Sequence, residues 1–265
     1  MDTTNVLTLD RGRCSDREFS PLEPRYLESF EHIIDALAER DRDSLWLAVH
    51  EELLSLIFRA LGKLPVASGG PTLWLQFRAS AKELGALSAG FSRVIPNPEA
   101  ALAGQELAEV LHAEHPEDYV VAAHHHRSED QLTLWRGDFS TLILPLADLR
   151  ERASRRFNPR QLAISDYGQT LALGSYEVSV DSMLYERDPA YRRRANARRR
   201  DQDTSFGGCL RRLRILRGIG RDEFPGLRSK TIARIERGEV EKPHDRTLLT
   251  IAKVLGVLPE EIESY

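Results

Sequence analysis

The C-terminal stretch reads Phe206-Gly-Gly-Cys-Leu210-Arg-Arg-Leu213-Arg-Ile-Leu216-Arg-Gly218, then Arg221-Asp-Glu-Phe224-Pro-Gly-Leu-Arg228, then Ser229-Lys-Thr-Ile232-Ala-Arg-Ile235-Glu-Arg-Gly238. After Pro243 follow Thr247-Leu-Leu-Thr-Ile-Ala-Lys-Val-Leu255 and Pro259-Glu-Glu-Ile262. The apolar residues recur every three or four positions, and glycines close the segments, so the spacing predicts a series of short amphipathic helices. The first ends at Gly218. Residues 221–224 form a short turn, and the next helix has Ser229 as its N-cap and Gly238 as its stop. A fourth helix spans 247–255, and a fifth begins at Pro259. On a helix starting at Ser229, Ile232 and Ile235 face the core, while Ser229, Lys230 and Arg234 point together on the other side.

The charge around this stretch is uneven. The whole chain of 265 residues carries a formal net charge of −4. Residues 192–246 alone hold 17 basic and 8 acidic residues, a net of +9, whereas residues 1–191 sum to −11. Such asymmetry implies that one part of the chain meets a polyanion and the rest does not. Of the 37 basic residues 32 are arginine, whose fork geometry suits phosphates and base edges. Residues 187–204 read as a linker with two arginine triplets, at 192–194 and 198–200. Such a run is ordinarily a solvated helix or a tether; beside a DNA-binding module it would also add salt-dependent phosphate contacts.

Further toward the N-terminus the pattern changes twice. In residues 24–62, Tyr26, Leu27, Phe30, Ile33, Ile34 and Leu37 make one helical stripe. Leu45, Leu47, Val49, Leu53, Leu54, Ile57, Phe58 and Leu61 make another, so an antiparallel helical hairpin is expected. Residues 72–90 are expected to be helical, although Leu73, Trp74, Leu75 and Phe77 also suit the start of a strand. A further helix is expected over 99–114. From Tyr119 the period shortens: 119–122, 132–135, 141–146, 162–164, 170–173 and 176–180 are short β-prone runs separated by turn residues such as Gly137-Asp138, Asp166-Tyr167-Gly168 and Gly174-Ser175. These predict a small, mainly antiparallel sheet with helices at 146–154 and 181–186.

Several functions find no support in the residues. No apolar run exceeds roughly half a dozen residues, against ~20 for a membrane span, so no membrane partner is expected. Residues 1–16 lack the apolar core of a secretory leader, which favours the cytoplasm, with a nucleoid association when DNA is bound. Cys14 and Cys209 are expected to be free thiols. His112, His115, the run His124, His125 and His126, and the sequence His50-Glu51-Glu52 lack the frame of a metal site. No phosphate-binding glycine loop occurs, and Trp46, Trp74 and Trp135 sit on apolar faces. No catalytic residue, metal or cofactor is expected, and the chain is not read as an enzyme.

Two resemblances add to this reading. Leu-Arg-Arg-Leu-Arg-x-x-Arg-Gly from Leu210, Thr-Ile-x-Arg-Ile-Glu-Arg-Gly from Thr231 and Leu-Leu-x-Ile-Ala-x-x-Leu-Gly-Val from Leu248 resemble the Cro/cI-repressor-type (XRE-like) helix-turn-helix family. The resemblance implies that Ser229, Lys230 and Arg234 read bases in the major groove of double-stranded DNA and that Thr231, Arg237 and Lys242 meet phosphates. Arg228 fits either group. Glu236, the acid before the glycine, takes a packing or ion-pair role. The pattern departs from the family between Phe224 and Thr231, about three residues short of the usual second helix and turn, with Pro225 as a stop. The runs Leu132-Thr-Leu-Trp-Arg-Gly137 and Leu162-Ala-Ile-Ser-Asp-Tyr-Gly168 through Tyr185 are similar to a small bacterial α/β domain of unknown function, which implies a fold and no activity.

The expectation is therefore an α+β chain: a helical region (1–116), a small mainly antiparallel α/β domain (117–190), an Arg-rich linker (191–204) and an all-α helix-turn-helix domain (205–265). Its expected function is sequence-specific regulation of transcription as a homodimer, with the body serving dimerisation or sensing. The alternatives are an antitoxin-like module that binds a protein partner through residues 1–190 and autoregulates its operon, and an enzyme carrying a DNA tether.

Overall fold

The computed structural model describes residues 6–8, 25–27, 29–39, 41–42, 44–48, 50–65, 70–153, 157–241 and 243–264. The chain is mixed α/β and divides into two compact units, Met1–Leu184 and Tyr185–Tyr265.

The first unit opens with a parallel sheet. β1 (Val6–Thr8), β2 (Arg25–Tyr26), β3 (Leu45–Ala48), β4 (Thr72–Leu75) and β5 (Arg93–Ile95) lie in the order β2-β1-β3-β4-β5, and every pairing is parallel. Helices α1 (Phe30–Glu39), α2 (Glu52–Leu61) and α3 (Ala81–Leu87) connect β2 through β5. This corrects the expected N-terminal helical hairpin. Of its two stripes only α1 and the 52–61 part of the second are helical, and Leu45-Trp-Leu-Ala is a strand. Because both faces of β3 and β4 are covered, all eight of their residues are buried, and such a strand has no polar alternation to mark it. Trp46, Leu73 and Leu75 pack with Ile33, Leu37, Leu54, Ile57 and Leu87 of the helices. Leu45, Leu47, Trp74 and Ile95 face the opposite way, onto α4 (Gly104–His112) and the next sheet.

That second sheet is antiparallel and runs β6 (Ala100–Ala101), β7 (Val120–His126), β8 (Gln131–Arg136), β9 (Thr141–Pro145). After α5 (Leu146–Arg150), a third sheet forms from β10 (Phe157–Ser165), β11 (Thr170–Gly174) and β12 (Tyr176–Ser179), also antiparallel. The turns fall at Asp166-Tyr167-Gly168 and at Ser175, where the punctuation in the sequence places them. The expected helix over 99–114 is shorter, because Ala100 and Ala101 pair with Ala123 and Ala122 of β7.

The division between the units falls inside α6 (Val180–Arg187). The described residues of the second unit beyond it form α7 (Pro189–Asp201), α8 (Phe206–Leu216), α9 (Ser229–Glu236), α10 (Asp245–Leu255) and a 3₁₀ segment, Pro259–Ser264. Their apolar faces meet in one core of Leu210, Leu213, Phe224, Ile232, Ile235, Ile251, Leu255 and Ile262. Gly207 is required where α8 crosses α9, since a Cβ there would collide with the Ile235 carbonyl oxygen. The arginine run 192–200 is not an irregular tether. It is a helix started by Pro189 at its first position and by the Asp188 carboxylate, which accepts from the N–H groups of Ala190 and Tyr191 at 2.8 and 3.1 Å.

Candidate nucleic-acid interface

α9 is the element that assembles the site. It is amphipathic: Ile232 and Ile235 are fully buried, whereas Arg228, Ser229, Lys230, Arg234 and Arg237 are exposed and Thr231 is half-buried. Lys230 and Arg234 are four residues apart and share a face. The helix begins one residue earlier in cap terms than expected. Arg228 is the N-cap, with no side-chain cap bond, and Ser229 is the first helical residue rather than the cap. Lys242 lies outside the described residues.

The orientation of α9 is fixed from behind by a buried charge cluster. The Glu236 side chain is only 1% exposed. Its Oε1 accepts from Arg214 Nε at 2.5 Å, and its Oε2 accepts from Arg221 Nε at 2.7 Å. Arg214 also donates through Nη1 to the Ile219 carbonyl at 2.8 Å. One carboxylate thus ties the last turn of α8 and the following loop to the last residue of α9. This is the ion-pair role expected for Glu236, with both arginine partners now identified.

Between α8 and α9 the structure has turns and no second helix; residues 217–228 carry only turn, bend and irregular conformations. The shortness of this segment and Pro225 within it account for that. The buried Phe224 ring anchors the loop in the core, and Leu227 N–H donates to the Phe224 carbonyl at 3.1 Å.

A feature invisible to the sequence reading is the fold-back of Glu239. Gly238 adopts φ +73°, the left-handed conformation that ends α9. The Glu239 N–H then reaches the Arg234 carbonyl at 3.0 Å. This puts the Glu239 carboxylate between two arginines of the exposed face, 3.0 Å from Arg234 Nε and 2.6 Å from Arg237 Nη2. Arg237 first and Arg234 second hold its carboxyl below the ordinary carboxylate range. The one signal in the sequence is the acid directly after the closing glycine.

On α7 the arginines cluster about two tyrosines. Arg194 and Arg198 lie 5.9 and 5.7 Å from the Tyr191 ring, and Arg192 and Arg199 lie 5.5 and 5.1 Å from that of Tyr185. Arg192 also donates through Nε to the Tyr185 carbonyl at 2.7 Å and through Nη2 to the Glu186 carbonyl at 2.6 Å.

The histidines of the run 124–126 fall in the first unit. His124 and His126 sit edge to face at 4.9 Å on β7, and His126 Nε2 is 2.9 Å from Thr133 Oγ1. Burial lowers the His124 pKa from its ordinary value. No group of three potential ligands converges as a metal site among the described residues, and no helix there is long and apolar enough to cross a membrane. Cys209 is a free, buried thiol, and Cys14 lies outside the described residues. No family model matches the chain, and neither a curated protein nor a solved structure matches it.

Proposed function

We propose that this chain is a sequence-specific DNA-binding regulator whose α9 enters the major groove of double-stranded DNA. The observation that carries the reading is the two-sided character of α9. One side is locked into the core by Ile232, Ile235 and the Glu236 cluster, and the other presents Ser229, Lys230 and Arg234 to solvent. A helix of this diameter fits the major groove, and side chains at its N-terminal end reach base edges. Lys230 or Arg234 then takes guanine through O6 and N7, while Arg228, Thr231 and Arg237 face phosphates. The likeness of 210–257 to the Cro/cI-type pattern supports the same assignment.

In this reading two copies act together, since small modules of this kind use paired half-sites about one helical turn apart. The exposed side chains of Ile215, Leu216, Leu249 and Leu258 supply apolar surface for such pairing. The acidic body takes no part in DNA contact and serves sensing or self-association. The test is selection of bound fragments from genomic DNA by the full chain. The expected result is one enriched motif with two half-sites spaced by about 10 base pairs; recovery of fragments without any shared motif would refute sequence-specific reading.

A further inference from the structure

We infer that the open edge of β9 pairs antiparallel with the β9 of a second copy of this chain, Ile143 lying opposite its own counterpart. The first indication is the direction of the backbone groups. β9 is the outer strand of the second sheet and, among the described strands, pairs with β8 alone. The Arg136 N–H donates to the Ser140 carbonyl and the Leu146 N–H to that of Asp130, both at 2.9 Å. Bonded pairs recur at every second residue of an antiparallel ladder, so Leu142 and Leu144 turn their backbone groups to β8. Thr141, Ile143 and Pro145 turn theirs to the open edge.

Such an edge is a template for another strand, and proteins ordinarily blunt it with charge or brevity. The other outer strands among the described residues follow that rule. β2 and β6 have two residues each, β5 carries Arg93, β10 carries Arg160 and β12 carries Glu177. β9 departs from it. Residues 139–147 are uncharged, and Ile143, at the centre of this run, is 57% exposed.

Symmetry identifies the occupant. With Ile143 facing the partner's Ile143, each N–H of this pair donates to the carbonyl of the other. Thr141 then lies opposite the partner's Pro145, and its N–H meets the Pro145 carbonyl. Every outward N–H of β9 is thereby satisfied, and the donor that Pro145 lacks leaves only the Thr141 carbonyl to water. The two isoleucines become a β-branched cross-strand pair, a kind that stabilises antiparallel sheets. A two-fold axis sets residue 143 against itself, so a charge there would meet its like; the neutral run avoids this although residues 1–191 sum to −11. A basic partner strand would instead call for acidic side chains along this edge. The pairing gives a surface to the self-association that the proposed reading assigns to the body, and it holds whether or not α9 reads DNA.

The test is sedimentation equilibrium of the full chain without DNA, between about 1 and 100 µM, the range suited to a short interface of the weak class. A species of twice the chain mass should grow with concentration. Ile143→Lys, at an exposed position, should leave the melting temperature unchanged and weaken association by about tenfold or more, because the two-fold axis sets the introduced charges against each other. Ile143→Cys reads the register itself. Bonded pairs have Cα atoms about 5.5 Å apart, within disulfide reach, so oxidation with diamide should link two copies through position 143, as mass spectrometry of the linked peptide reads. The proposal is overturned if the chain is monomeric throughout, if Ile143→Lys associates as strongly as the unaltered chain, or if Ile143→Cys yields no linkage at position 143. DNA is absent from all three measurements, so their failure is distinguishable from a failure of DNA reading by α9.

Discussion

Glu236 and Glu239, three residues apart, do opposite work on the same helix. Glu236 is enclosed, and its two oxygens are occupied by Arg214 and Arg221. Removing its charge strands a nearly buried guanidinium, so Glu236→Gln should destabilise the helical unit by about 3–5 kcal/mol; urea unfolding followed by circular dichroism measures this, and an unchanged midpoint would refute the structural role. Glu239 is at the surface and pairs with Arg234 and Arg237, two side chains that the proposed reading directs to DNA. Its carboxylate competes with phosphate for both arginines. Glu239→Gln should therefore tighten binding to any duplex by roughly threefold to tenfold at low salt and steepen the salt dependence. Fluorescence anisotropy with a random duplex checks it, and weaker binding would mean that Glu239 positions the arginines for reading. Glu236 is recognisable in the sequence from its place before the glycine, although its partners are not. The grip of Glu239 depends on the left-handed turn at Gly238, and spacing alone does not reveal which way the chain leaves that turn.

Elements with a solvent-facing side are legible in the sequence and elements without one are not. α8, α9 and α10 alternate apolar and charged residues at helical spacing and carry their own stops, and they fall at 206–216, 229–236 and 245–255. The antiparallel hairpins of residues 157–179 are marked by their turn residues in the same way. β3 and β4 are four-residue runs, apolar apart from Thr72 and buried on both faces, and a run that short cannot be told from a buried turn of helix by period. The parallel sheet stays hidden for that reason. β7 contains an element-scale misfit. His125 points into the apolar side beside its cross-strand partner Leu132, is 7% exposed, and neither ring nitrogen meets a hydrogen-bond partner among the described residues. A buried donor and acceptor left unmade cost about 1–3 kcal/mol, and leucine has a similar volume. His125→Leu should raise the thermal midpoint of the first unit in calorimetry, and a lower midpoint would mean that the imidazole is needed for packing.

On the scale of the whole molecule, a near-neutral total conceals two charge regimes: −11 over residues 1–191 and +9 over 192–246. In the proposed reading DNA meets only the second of these, and two helices there divide the task. α7, with its clustered arginines, contributes affinity without sequence information. Neutralising Arg192, Arg193 and Arg194 should therefore weaken binding to every duplex and reduce the salt slope by about 0.9 for each phosphate left without its arginine. α9 contributes discrimination. Its role is decided by the equilibrium affinity of the full chain for its selected duplex and for a scrambled duplex of equal length, measured beside Lys230→Ala and Arg234→Ala. The unaltered chain should prefer the selected duplex by about a thousandfold or more, and the substitution that removes a guanine contact should cut this preference by about 1–3 kcal/mol. Equal affinity for both duplexes, or no binding to either at about 50 mM salt, would contradict DNA reading by α9.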